Sequence, residues 1–136
     1  MSIRRLLTSR GPSLERQQTI AIHEAGHVVA ARMLGATDIT VPVDRRGGGF
    51  WFAATSELDE AVILLAGQQA ELVLTGRDSG RSEYDLRQAR RALRRTGVDL
   101  DAAGKTAAEL VRGARLDIES EAARRLDVAT IGRRAA

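Results

Sequence analysis

The order of apolar and polar positions along the chain predicts one helix, a short β-type stretch and then three further helical stretches. Ser13 precedes a run in which Ile20-Ala21-Ile22 and Val28-Val29-Ala30-Ala31 are apolar and helix-compatible, and Gly35 offers a stop. A capped, largely buried helix over about 13–34 is therefore expected. From Asp38 the pattern changes. Ile39-Thr40-Val41-Pro42-Val43 is mostly β-branched, 44–48 is turn material, and Phe50-Trp51-Phe52 is the one aromatic cluster. The prediction is a hairpin with strands near 38–43 and 49–54, and Pro42 suits an edge strand.

Ser56 or Thr55 then caps a second helix over about 57–75, built around Ala61-Val62-Ile63-Leu64-Leu65-Ala66 and stopped by Gly76. A polar loop over 77–81 leads to a third helix, with Ser82 as its expected cap and its end at Thr96-Gly97. That helix carries Leu86, Ala89, Ala92 and Leu93 on one face. The segment from about Asp101 to Leu126 reads as helical with one or two breaks. Its apolar positions include Ala107, Leu110, Val111, Ala114, Ile118 and Ala122. The expected fold class is mainly α with one small β-hairpin. Residues 13–136 form a single domain, and residues 1–12 form a flexible basic arm ended by Gly11-Pro12.

Composition narrows this picture in a few places. At 136 residues the chain is long enough for a real core without covalent staples. It has no cysteine, which excludes disulfides and thiolate metal sites. No apolar run approaches the roughly 20 residues needed to span a bilayer, and the first ten residues lack an apolar signal-peptide core. A cytoplasmic location is the expectation. The formal net charge is only +3, although the 21 basic residues are all arginine except Lys105. Aromatic residues make up 3% of the chain, so the core must be built from Ala, Leu, Val and Ile, which favours closely packed helices.

The chemistry is concentrated in His23-Glu24-Ala25-Gly26-His27, which contains both histidines of the chain. Residues four apart lie on one helical face, so His23 and His27 can hold one metal ion. Glu24 falls on the flank, where a carboxylate can take a proton from metal-bound water. This is the H-E-x-x-H arrangement of zinc hydrolases. The plain alternative is a pair of histidines satisfied by hydrogen bonds in the core. A catalytic zinc wants three protein ligands and an open position. The extended metzincin motif would need glycine at Ala30 and histidine at Met33. Without a third histidine the last ligand must be a carboxylate, and spacing does not choose among the several available.

Three segments together resemble the peptidase domain of FtsH-type proteases. They are His23-Glu24-Ala25-Gly26-His27, Ala66-Gly67-Gln68-Gln69-Ala70-Glu71 and Asp85-Leu86-Arg87-Gln88-Ala89, in that order. The resemblance extends from about Ile20 through the closing helices near 107–131. It implies a helical zinc-peptidase domain in which Asp85 is the third zinc ligand and Glu24 the general base. The loop before Asp85 is one residue longer than the family's usual form, which leaves Glu83 as a competing ligand. The ATPase and membrane parts of that family have no counterpart here, so the chain resembles a stand-alone peptidase domain. The expected substrates are peptides or unfolded protein segments, with a separate ATPase or self-association as further partners.

Each assignment has a plainer counterpart. Asp85 stands three residues after Ser82, where an acidic side chain favours a helix N-terminus without any metal. Glu71 is either a group that orients a zinc histidine or a solvated helix residue. Gly49 and Trp51 belong to a stretch whose edge can pair with an extended peptide, whereas Phe50 and Phe52 share one face and are expected in the core. Arg87, Arg90, Arg91, Arg94 and Arg95 line the third helix. Such a stripe can contact phosphates, but a charge run of this kind is usually a solvated face, so nucleic acid is not the expected partner. A zinc-binding or metal-free adaptor of the same fold is the remaining alternative. The intact Glu24 argues against it.

Overall fold

A computed structural model describes residues 13–41 and 50–135, with side chains as far as residue 127. The described elements run α1 (Leu14–Met33), β1 (Thr37–Thr40), β2 (Trp51–Ala53), α2 (Glu57–Thr75), α3 (Glu83–Leu93), α4 (Leu100–Gly113) and α5 (Arg115–Ala135). The fold is mainly α with one small antiparallel hairpin, as the periodicity predicts. The proposed arm at 1–12, the turn at 44–48 and Gly49 lie outside the described residues.

Helix ends follow the capping residues closely. The Ser13 hydroxyl accepts from the Arg16 amide at 3.2 Å, and the Ser56 hydroxyl accepts from the Asp59 amide at 3.1 Å. α1 ends as predicted: the Gly35 amide donates to the Arg32 carbonyl and the Ala36 amide to the Ala31 carbonyl, with Gly35 at φ 71°. Ser82 departs from expectation. It occupies the N-cap position of α3, but its side chain makes no capping bond, and its buried hydroxyl has no hydrogen-bond partner.

α3 also stops at Leu93, short of the predicted Thr96-Gly97. The Arg94 amide turns back to the Arg91 carbonyl and the Thr96 amide to the Leu93 carbonyl, which tightens the chain into a turn. The hairpin strands are shorter than predicted. Thr37 pairs with Ala53 and Thr40 with Trp51, with an irregularity between the two pairs.

α2 is the central element because it is apolar on every side from Ala61 to Ala66, and an all-round apolar helix must be covered all round. One face packs Ile63, Ala66 and Ala70 against Ala21, Ala25 and Val29 of α1, together with Val111, Ile118 and Ala122. The opposite face packs Val62, Leu64 and Leu65 against Ala89 and Leu93 of α3 and Ala103 and Ala107 of α4. Small residues set how closely α1 and α2 approach. A Cβ added at Gly26 would lie 2.6 Å from the Ala66 carbonyl oxygen and 2.7 Å from the Ala70 Cβ. Only glycine allows this backbone crossing. As a result, the histidines of α1 project directly onto the backbone of α2.

Candidate metal centre

His23 and His27 lie one turn apart on the buried face of α1, and α3 brings Asp85 against them from the other side. His23 Nε2 and His27 Nε2 are 3.0 Å apart, and Asp85 Oδ2 lies 2.9 Å from the first and 3.1 Å from the second. The three atoms form a nearly equilateral triangle. Glu83, the competing carboxylate, is exposed and outside this cluster.

The outer ring nitrogens reveal what the triangle needs. His27 Nδ1 is 2.9 Å from the Ile63 carbonyl oxygen, which can only accept, so Nδ1 carries the proton and donates it. His23 Nδ1 donates to Glu71 Oε2 at 2.5 Å. In the neutral rings both Nε2 atoms are therefore lone pairs, and they face each other and the Asp85 carboxylate. With both rings neutral, three acceptors converge with no donor among them, and the raised pKa of His23 is the response to that convergence. One proton on His23 Nε2 would satisfy its contact with Asp85 but leave the lone pair of His27 facing a carboxylate. A single divalent cation satisfies all three. Tetrahedral zinc with bonds of about 2.0–2.1 Å spaces its ligand atoms about 3.3 Å apart, so the triangle needs to open by only a few tenths of an ångström.

Gly67 of α2 forms one wall of this cradle. A Cβ at that position would stand 2.6 Å from His27 Nε2 and 2.7 Å from His23 Nε2, so glycine is what lets both rings lie against α2. Gly67 was readable in sequence as part of the family-like segment, but its contact with both rings was not. An isolated glycine inside an apolar helix was the available signal.

Of the two readings of Glu71, the structure selects contact with the histidine. Glu71 is fully buried, and its second oxygen accepts from the Ser79 amide at 3.0 Å. Burial alone would raise the pKa of this carboxyl, but the bonds from His23 and Ser79 outweigh it and hold the value below the ordinary range. The same balance acts on the ligands. Burial works against the charged form of His23, yet Asp85 and Glu71 raise its pKa to about 9 in the metal-free arrangement. Burial opposes ionised Asp85 as well, and the two histidines still pull its pKa well below the usual carboxylate range.

Glu24 lies on the flank of α1, partly exposed. Burial raises its pKa above that of a free carboxyl, opposed by Arg125, His23, His27 and Arg81. Arg125 Nη1 lies 3.7 Å from Glu24 Oε2. The sequence reading did not identify Arg125, although its spacing of four from Glu121 is the ordinary signal of an intrahelical ion pair.

The hairpin covers one side of the centre. Phe50 stacks on the His27 ring with centroids 5.1 Å apart and planes 15° apart, and Phe52 stacks on Phe50 at 5.0 Å. Both rings pack against the core as expected, while Trp51 points outward at 69% exposure. Arg87, Arg90 and Arg91 of α3 are exposed, as are Arg94 and Arg95, which fall in the turn after it rather than on the helix, as a solvated face requires. No described helix is long and apolar enough to cross a membrane. Comparisons of the chain with protein-family models, curated proteins and solved structures give no match.

Proposed function

We propose that this protein is a zinc-dependent metallopeptidase that hydrolyses peptide bonds in peptides or unfolded protein segments. The observation that carries the reading is the convergence of three lone-pair atoms, from His23, His27 and Asp85, beside a carboxylate on the residue next to the first ligand. Zinc bound there supplies a Lewis acid that polarises a carbonyl and brings the pKa of water near neutrality.

The remaining work falls to the chain's own residues. Glu71 and the Ile63 carbonyl keep both imidazoles in the tautomer that offers Nε2. Glu24 takes the proton of the attacking water and passes it to the leaving amine. Its partly buried carboxyl, with a raised pKa, is suited to both halves of that transfer. An extended substrate pairs with an edge of the hairpin that no other described strand covers, with Trp51 contributing contact area beside the centre.

Acting by itself, the chain favours flexible substrates, and a separate ATPase or self-association would extend its range to folded ones. The reading puts the enzyme in the cytoplasm and treats the arginines of α3 and of the turn after it as a solvated face rather than a nucleic-acid surface.

Glu24→Gln tests the mechanism. The variant keeps the side chain's shape, leaves all three ligands in place, and is expected to bind about one zinc per chain. Its hydrolysis of an unstructured peptide should fall roughly a hundred- to ten-thousand-fold, the usual contribution of a positioned general base. Zinc-loaded wild type that cuts no unstructured substrate would favour the peptide-binding adaptor. Equal activity in both proteins would remove Glu24 from the mechanism.

A further inference from the structure

Glu24 has a partner on a helix that contributes nothing to the metal cluster. Arg125 of α5 reaches between two carboxylates, with Nη1 3.7 Å from Glu24 Oε2 and Nη2 3.9 Å from Glu121 Oε1. Glu121 is buried and pairs with two other arginines: Arg124 Nε donates to Oε2 at 2.8 Å, and Arg32 Nη1 of α1 lies 2.9 Å from Oε1 as an ion pair without hydrogen-bond geometry. The Arg125 side chain is only 19% exposed, and its buried Nε has no hydrogen-bond partner.

The helices do not need this cluster in order to pack. α1 and α5 already meet through Ala21, Ala25, Ile118 and Ala122. A guanidinium withdrawn from water with an unpaired N–H costs stability, so its presence calls for another explanation. Both of its carboxylate contacts are longer than hydrogen bonds. A bidentate clamp would fix one geometry, whereas this arrangement attracts Glu24 while leaving it room to move.

Resting on the peptidase reading above, we propose that Arg125 is a positioning residue for the general base. Its guanidinium sets the direction in which the Glu24 carboxylate faces, and Glu121 anchors the guanidinium. With Glu24 on one side and Glu121 on the other, the guanidinium has a fixed place from which to hold the direction of the Glu24 side chain.

The test uses zinc-loaded wild type, Arg125→Met, Arg125→Lys, Glu24→Gln and the Glu24→Gln/Arg125→Met double variant. Zinc content should equal that of wild type in all of them, since no ligand is touched. On an unstructured peptide, Arg125→Met is expected to lower kcat by roughly ten- to a hundredfold at nearly constant KM, as for a misplaced catalytic group. Arg125→Lys keeps the charge and should recover most of that loss.

A second readout does not depend on activity. In chemical denaturation, Arg125→Met should change the unfolding constant about two- to fivefold less in the Glu24→Gln background than in wild type, the size of a partly exposed ion pair. Additive denaturation effects would overturn the contact. Coupled denaturation with unchanged kcat, a loss confined to KM, or no recovery with lysine would overturn the positioning role. If wild type cuts nothing, the peptidase reading fails, and the positioning role fails with it. The denaturation cycle then still shows whether Arg125 engages Glu24.

Discussion

Two clusters of buried charge stand within reach of Glu24, and they are built on opposite lines. In the His23–His27–Asp85 triangle every contact is 2.9–3.1 Å, and the outer nitrogen of each ring is engaged by a group that only accepts or by a carboxylate. In the cluster of Arg125, Glu121 and Glu24 the contacts of Arg125 are 3.7 and 3.9 Å, and Arg125 Nε has no partner. The first arrangement is over-determined, as a site must be to hold a metal in one geometry. In the second, Glu121 is held closely by Arg32 and Arg124 and only the contacts of Arg125 are loose, which suits the role proposed for Glu24. On the proposed reading, the close triangle and the long contacts of Arg125 each match what they would have to hold.

The largest effect that would test this contrast is loss of a ligand. His23→Ala should abolish stoichiometric zinc binding, and with it the stability that zinc contributes. That contribution is about 4 kcal/mol when free zinc stands a thousandfold above its dissociation constant. Melting with and without added zinc reads it directly. A variant that still gains stability from zinc would mean the triangle is not the site.

Glu71→Gln probes the tight side more gently. The amide places an N–H where His23 Nδ1 expects an acceptor, or else gives up the contact with the Ser79 amide. Zinc affinity should fall about ten- to a hundredfold, the usual cost of losing a partner behind a metal histidine. A competition titration against a chelator of known affinity measures it, and unchanged affinity would make Glu71 a purely structural buried acid.

On the loose side, Glu121→Gln should cost about 1–3 kcal/mol by leaving Arg32, Arg124 and Arg125 with a neutral partner. Burial acts to raise the pKa of this carboxyl, but Arg124, Arg125 and Arg32 hold it below its ordinary value of 4.5. Its contribution to stability is therefore complete above about pH 4.5 and is lost as the pH falls through the lower folded value. Denaturation of wild type and variant between pH 3 and 7 should converge at the acid end. Curves that stay parallel would exclude this linkage. Trp51→Ala should have the smallest effect, within about 0.5 kcal/mol in stability, because the side chain is largely exposed. A rise in KM for extended peptides would mark the hairpin as a substrate surface.

What could be read from the chain follows the range of the interaction. Helix stops at Gly35 and Gly76, the cap at Ser56 and the one-faced pair Phe50 and Phe52 are local, and they stand where the pattern puts them. The i, i+4 spacing of His23 and His27 is local too, and it names the ligand face of α1. Asp85 lies 58 residues from His27, and neither periodicity nor spacing distinguishes it from an acid at a helix start; only the resemblance of Asp85-Leu86-Arg87-Gln88-Ala89 pointed to it. Glu71 was ambiguous for a related reason. On a helix apolar all round, the sequence does not show which polar residue faces inward. Ser82 misled because a serine at an N-cap position need not turn its hydroxyl to the backbone. Arg125 and Glu121 have an intrahelical spacing that usually means a solvent-exposed pair, and only the crossing of α1 and α5 buries it.

Gly67 has a consequence beyond geometry. Glycine in the middle of a helix is about 0.8–1.0 kcal/mol less favourable than alanine, so the commonest replacement would make α2 a better helix. The same added methyl would occupy the space between the two imidazoles. One substitution would therefore improve the helix locally and disturb the cluster it supports. That methyl would stand 2.6–2.7 Å from both Nε2 atoms, closer than packed side chains tolerate, so the two imidazoles would have to move apart or turn away. The gain in helix propensity at position 67 is thus set directly against the shared face of His23 and His27.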